Sequence, residues 1–374
     1  MRMNALAEII RSRIERDGII SFARFMELAL YHPRHGYYET TASFIGKTGD
    51  FFTSVSVSAL FGELLAFQFA RWMEADQQAT PRTSAAFQLV EAGAHDGHLA
   101  ADILTWLQQH RPALFNVLDY WIVEPSERRR ARQEEKLDEF APRVRWLSEM
   151  SGPHTNSESA KVRGIIFANE LLDAMPLHRL GWDASNHAWF EWGIGVEGNG
   201  FVWRRMPLSS EAESMAPQLS VELGAVLPDG FITEVCPLAN RWWRNAARWL
   251  RRGRLLAIDY GLTEEELFVP HRAQGTLRAY SRHHLANDLL AQPGKQDLTA
   301  HVNFSALQKI GERMGLKTED LSTQSLFLVP IFALAQKGDA EPGELTPERA
   351  RQFQTLTHPE HLGRSFRVLV QRRD

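Results

Sequence analysis

Three short apolar segments each end on residues that can do chemistry. LVEAGAHDGHLAADIL, Leu89–Leu104, carries Glu91 and turns through Gly93 and Gly97. YWIVEPS, Tyr120–Ser126, ends on Glu124, and FANELLDAMP, Phe167–Pro176, ends on Asn169, Glu170 and Asp173. Open α/β sheets hold ligands at the carboxyl ends of parallel strands, so this series reads as a nucleoside site. Glu124 is placed to accept two charge-assisted hydrogen bonds from ribose hydroxyls. Its bland alternative is a helix-start acid favoured by the helix dipole. Glu91 serves either the turn or an amino group of the ligand.

Glycine at 93 and 97 permits positive φ and lets a ligand approach backbone N–H groups. The dinucleotide fingerprint GxGxxG needs glycine where this chain has His95 and His98. Pyrophosphate requires bare backbone there, so the turn argues against NAD or FAD. S-adenosylmethionine has no phosphate, and its adenosine and amino-acid tail fit a more open turn, with Ala94 and Leu99 beside it.

Asn169, Glu170 and Asp173 then lie where a methyl group would be presented. Methyl transfer is an in-line displacement whose catalysis is mainly positioning and electrostatics. An arginine acceptor, with a pKa above about 12, cannot simply be deprotonated first. A carboxylate must grip the guanidinium and orient one nitrogen as charge is lost. Glu170 is the first candidate and Asp50, in GKTGDFFTS, the second, with Asp173 as a third acid. The competing reading makes Asn169 and Asp173 helix caps. GDFFTS, Gly49–Ser54, reads as a lid carrying Thr53 to the cofactor, or else as a helix entry capped by Thr53 or Ser54.

Other chemistries find no motif. HExxH, GxSxG and GxxxxGK[ST] are absent, and His32, His35, His283, His284 and His301 match no common zinc spacing, so no metal is expected. The single cysteine, Cys236, excludes an internal disulfide and fits a cytoplasmic home. A formal net charge of -4 and a pI of about 6.4 argue against extended nucleic acid. SERRRARQEEK, Ser126–Lys136, pairs Arg130 with Glu134 at helical spacing and reads as a solvated face. The charged start lacks a signal peptide's apolar run, and LFLVPIFALA, Leu326–Ala335, is too short to span a bilayer, so membrane insertion is not expected.

These residues need a scaffold, and 374 residues at 44% hydrophobic provide about two domains, or one large α/β domain with a substantial appendage. Residues 1–80 read as an N-terminal helical and lid region. Asn4 caps a helix ending near Gly18, Ser21 caps another ending before Pro33, and a long aromatic loop, Tyr31–Ser58, precedes a third helix at about Ala59–Glu74. Residues 81–374 alternate strand and helix: strands at 87–91, 119–123 and 143–147, helices at 97–110 and 126–139, then the strand GIIFAN. That order calls for a mostly parallel sheet with right-handed crossovers. An antiparallel insertion occupies about 177–225, after which FITEV, a helix at about Ala239–Arg252 and RLLAIDY resume the parallel pattern. SFRVLVQRR, Ser365–Arg373, reads as an antiparallel edge strand.

ALYHPRHGYY, GDFFTS with SALFGE, the glycine turn, VEPS, FANELLDAMP, TEVCP, LLAIDYG, GTLRAY and QDLTAHVNFSAL together carry a family likeness. The chain resembles the MidA-like S-adenosylmethionine-dependent methyltransferases, which include a mitochondrial complex I assembly factor that methylates an arginine. The resemblance implies a class I (Rossmann-like) methyltransferase sheet. It also implies S-adenosylmethionine held through Gly93, Gly97 and Glu124, with Asn169, Glu170, Gly49 and Asp50 at the reaction centre and an arginine of a protein as acceptor. Two positions differ from the family: His95 stands where a second glycine is usual, and Ser56 where a glutamate is usual. A small-molecule methyltransferase and a noncatalytic assembly factor that keeps the fold are the alternative readings.

Overall fold

The apolar runs form a sheet whose strand order follows from their crossovers. The computed structural model describes residues 4–40, 53–78, 87–150, 161–281, 284–337 and 346–374. Its main sheet contains β1 (Phe87–Ala92), β2 (Leu118–Val123), β3 (Val144–Leu147), β4 (Val162–Asn169), β5 (Leu250–Leu262), β6 (Lys317–Thr323) and β7 (Phe366–Arg373). They lie in the order β6-β7-β5-β4-β1-β2-β3. β3, β2, β1, β4 and β5 are mutually parallel, and β7 runs antiparallel to both β5 and β6.

Strands buried on both faces need apolar residues throughout, and β4 supplies them. Phe167 packs on one face with α3 (Leu60–Gln78) and α4 (His98–His110). Ile166, one residue earlier, packs on the other face with Trp243 of α6 (Pro237–Trp249) and Leu307 of α7 (Phe304–Arg313). Each such burial stabilises the fold by about 1.5–3 kcal/mol before entropy is counted. The alternation also fixes register, since a one-residue slip would exchange the two faces.

Two strand expectations are corrected. SFRVLVQRR lies inside the sheet, with Val368, Leu369 and Val370 buried, and β6 takes the edge. The VLV run is apolar on both faces, whereas KTEDLST of β6 exposes Lys317 and Glu319, as an edge strand should. FITEV does not rejoin the parallel sheet: Ile232–Val235 pairs antiparallel with His178–Asp183. Glu234 at its centre finds the Thr276 amide and hydroxyl there at 2.9 and 3.0 Å, partners a dry parallel strand would not offer.

The insertion is thus an antiparallel sheet of His178–Asp183, Ala188–Glu197, Gly200–Met206, Ile232–Val235 and the short strand Ile20–Ser21. The helices α1 (Ala5–Asp17) and α2 (Phe22–Tyr31) pack against it, with Ile10, Phe22 and Phe25 meeting Ile194, Leu277 and Leu298. Both carry the expected caps: Asn4 Oδ1 accepts the Ala7 amide at 2.8 Å and Ser21 Oγ accepts that of Arg24 at 3.2 Å. α3 belongs to the main sheet, where Phe69 lies 5.1 Å from Phe167 between ring centroids. Among the described residues no helix is long and apolar enough to cross a membrane.

Candidate active site

The carboxyl ends of β1, β2, β4 and β5 converge on one cleft. Its two lobes hold about 940 and 1040 Å³ of space, part of it open to solvent, and share Tyr38, Gly93, His95 and Glu170. One lobe reaches Ala94, Leu99, Asn169 and Asp173, and the other reaches Glu124 and Met150.

The turn after β1 is built for close approach. Gly93 has φ +75°, and a Cβ there would lie 2.8 Å from Leu171 Cδ1. Gly97, at φ +86°, caps α4 from behind the turn and does not line the cleft. His95 lines both lobes at φ +49°, a left-handed conformation uncommon outside glycine. Its carbonyl accepts Gln133 Nε2 at 3.0 Å, which ties the turn to α5 (Glu127–Lys136).

Glu91 and Glu124 are both buried, but their settings differ. Glu91 accepts the Tyr120 hydroxyl at 2.6 Å, and burial raises its pKa to about 7. Glu124 accepts the Ser126 amide and Arg129 Nε, each at 2.9 Å, on Oε1 and Gln133 Nε2 at 3.2 Å on Oε2. The helix-start role therefore holds alongside any ligand role. Arg129 also faces Glu39, whose Oε2 accepts the Ser126 hydroxyl at 2.9 Å.

At the centre, no helix follows β4, so neither Asn169 nor Asp173 is a helix cap. Glu170 has φ +50°, the second strained non-glycine residue on the cleft wall. Such strain costs about 1–3 kcal/mol and persists where the surroundings over-determine it. Glu170 Oε1 accepts the Ser54 amide and Asn169 Nδ2, both at 3.2 Å. Asp259 of β5 fastens the loop from below: its Oδ2 accepts the amides of Leu171, Leu172 and Asp173 at 3.1, 2.8 and 3.4 Å. Burial, then the charge of Asp173, raises the Glu170 pKa to about 8. Burial and the neighbouring Asp259 push Asp173 well above the carboxylate range.

Asp50 lies outside the described residues, as does most of GDFFTS. Thr53 both lines the cleft and caps a short helix through the Ser56 amide at 3.1 Å. The sequence reading assigned no role to Asp259, Asp297, Tyr31, Tyr38, Glu39 or Arg129, and took Gln133 only as part of the family likeness that follows VEPS. Asp297, from QDLTAHVNF, accepts the Tyr38 hydroxyl at 2.8 and 3.0 Å, and Tyr31 donates to the Ala174 carbonyl at 3.0 Å. Asp259 ends RLLAID as Glu124 ends YWIVE, a signal available in the sequence. Among the described residues no three acids, histidines or cysteines converge to hold a metal ion.

The residues present fit an adenosine-bearing donor. Asn169 Oδ1 is buried on the cleft wall without a hydrogen-bond partner among the described residues, and the Gly93 turn lies open to the same space. A strand order of β6-β7-β5-β4-β1-β2-β3 with β7 reversed, carrying this cleft, defines a class I S-adenosylmethionine-dependent methyltransferase.

Comparison with known proteins specifies the class further. Residues 64–322 match the model of a family described as S-adenosyl-L-methionine-dependent methyltransferases, and the chain belongs to that family. A COG1565 superfamily member from Burkholderia thailandensis, crystallised with S-adenosylhomocysteine, is 33% identical with a TM-score of 0.82, covering 99% of this chain and 92% of its own. The mitochondrial protein arginine methyltransferase NDUFAF7 homolog of Drosophila melanogaster is 28% identical over 98% of this chain and 84% of its own length. The Bos taurus NDUFAF7 is 27% identical over 96% and 81%.

Proposed function

We propose that the chain transfers a methyl group from S-adenosylmethionine to the guanidinium of an arginine in another protein. The observation that carries this reading is the buried acidic centre. Asp173 is buried and Glu170 partly so, the pKa of each is raised, and no lysine or arginine stands among the described residues lining that lobe. Buried carboxyls in that state favour the arrival of a cation, which restores their ionised form. A planar guanidinium presents five donors in a fixed fork that matches carboxylates bidentately, whereas an ammonium is a point charge with no such fork. The names of the NDUFAF7 relatives support the same acceptor.

S-adenosylmethionine, when bound, supplies an electrophilic methyl carbon. Gly93, Ala94 and Leu99 would pack its amino-acid end, Glu91 and Asn169 would offer acceptors to its N–H groups, and Glu124 would take the ribose hydroxyls. Gly97 supports that turn from behind. Glu170 orients the acceptor nitrogen. Glu170 would take the proton that this nitrogen loses on methylation. With a pKa of about 8 it carries its proton at neutral pH before the acceptor arrives, and the incoming guanidinium would ionise it for that task. Asp173 shares the remaining guanidinium charge, and Asp50 is a further acid for the same centre. A cytoplasmic, thiol-preserving setting fits the lone Cys236.

The test is calorimetry with S-adenosylmethionine followed by transfer of its labelled methyl group to arginine-containing peptides. Binding and arginine label support the reading. Binding with label only on lysine or on small molecules replaces the acceptor.

A further inference from the structure

A second cavity, of about 1590 Å³, opens beside the cleft. Among the described residues Asp173 is common to the two, because the loop following Glu170 runs between them. Both long walls start at that loop. The thiol of Cys236, the N-cap of α6, faces the carbonyls of Met175 and Pro176 at 3.7 and 3.4 Å. The Ala300 amide donates to the Asp173 carbonyl at 3.0 Å, three residues before Asn303 caps α7.

Charge changes sign along this cavity. Its inner end carries Asp173 and Glu234, and Glu234 Oε1 is buried with no partner among the described residues. His301 Nδ1, of a residue in the same lining, is likewise buried and unpartnered among them. Farther out, α6 contributes Arg244, about 7.5 Å of helix beyond Ala239, and α7 contributes Arg313, about 10 Å beyond Ala306. Neither arginine forms an ion pair among the described residues, whereas Lys309 between them is held by Glu264.

We infer that this cavity receives the stretch of the acceptor protein next to its target arginine, with an acidic residue of that stretch paired to Arg244. The inference rests on the arginine reading above. A donor lying from Gly93 to Glu124 fills the cleft along the strand ends, so the acceptor chain needs room elsewhere, and this space ends on Asp173. The acidic inner end favours the arginine, and the basic outer end favours a carboxylate a few residues away. Like charges at either end would disfavour the reverse peptide.

The test uses the full chain with S-adenosylmethionine and two pools of fluorescent arginine peptides, one flanked within about four residues by aspartate or glutamate and the other by lysine. The acidic pool is expected to bind about tenfold tighter, and Arg244→Glu to reverse that order. Ala306→Trp, which fills the wall, should weaken both pools, with donor affinity by calorimetry unchanged in each variant. Equal binding of the pools, or a preference that survives Arg244→Glu, overturns the inference. Acid-selective binding without methyl transfer keeps the cavity assignment and removes the arginine reading. Methyl transfer indifferent to Arg244→Glu does the opposite.

Discussion

Oδ2 of Asp259 accepts the amide of Leu172 at 2.8 Å, joining the end of β5 to the loop that leaves β4. The amides of Leu171 and Asp173 point at the same oxygen, so one carboxylate shapes the turn that carries Glu170 and Asp173. Asp259 is therefore a positioning residue. Asp259→Ala frees three amides, costing about 1–3 kcal/mol for each one left buried. That outweighs the relief of removing a like charge beside Asp173. We expect a lower melting temperature and a kcat reduced about a hundredfold, because a displaced loop mispositions the reacting groups. Asp259→Asn, which keeps one acceptor oxygen, should fall between; equal loss in both variants would mean that the charge, not the acceptor, matters.

Glu170→Gln removes the charge and proton acceptor while keeping a similar shape. Methyl transfer should fall about 10²–10³-fold, in the range typical of one lost electrostatic group. Donor affinity should stay within about threefold. Isothermal titration and single-turnover kinetics separate these effects, and parallel loss would make Glu170 part of the donor pocket instead.

The same residue predicts the pH dependence of stability. Its folded pKa of about 8 exceeds the unfolded value of about 4.3. Between those values the folded chain keeps a proton that the unfolded chain has released, so stability declines as pH rises through that window and levels off above it. The penalty at high pH is on the order of a few kcal/mol. Thermal melts should therefore show Glu170→Gln more stabilised, relative to wild type, at pH 8.5 than at pH 5. An equal gain at both would show that Glu170 titrates normally.

Gly93 and Gly97 both have positive φ, yet they should fail differently. At Gly93 an added methyl collides with Leu171 on the cleft wall, whereas at Gly97 it meets Leu137 and Lys136 at 3.5–3.6 Å, ordinary contact distances. Gly93→Ala should lower donor affinity at least about tenfold, and Gly97→Ala should mainly cost about 1 kcal/mol of stability. Donor titrations and denaturant melts on both variants check the contrast.

Glu124→Gln keeps an acceptor for Ser126 but loses the charge that Arg129 meets. Donor affinity should drop about tenfold, since charge-assisted hydrogen bonds to hydroxyls are roughly twice as strong as neutral ones. Unchanged affinity would leave Glu124 as only an anchor for Arg129.

Much of this was legible in the sequence because strands buried on both faces write themselves as continuous apolar runs. LVEA, YWIVE and FAN mark the strand ends, and the glycine turn marks the open loop. Less legible were relationships set by long-range packing. β7 reads as an edge because periodicity does not show what lies beyond it, and Ile232–Val235 reads as parallel because only pairing with His178–Asp183 reveals its direction. Tyr38 reaches Asp297 across 259 positions, a hydrogen bond that no local pattern encodes. Arg129 reads as one of several solvated arginines until Glu39 and Glu124 converge on it.

Most direct is a comparison of wild-type and Glu170→Gln protein incubated with methyl-labelled S-adenosylmethionine and an arginine-centred peptide library, followed by hydrolysis and amino-acid analysis. The account predicts label in methylarginine with the wild type and at least about a hundredfold less with the variant. Label on another residue type, or equal methylarginine from both proteins, would contradict it.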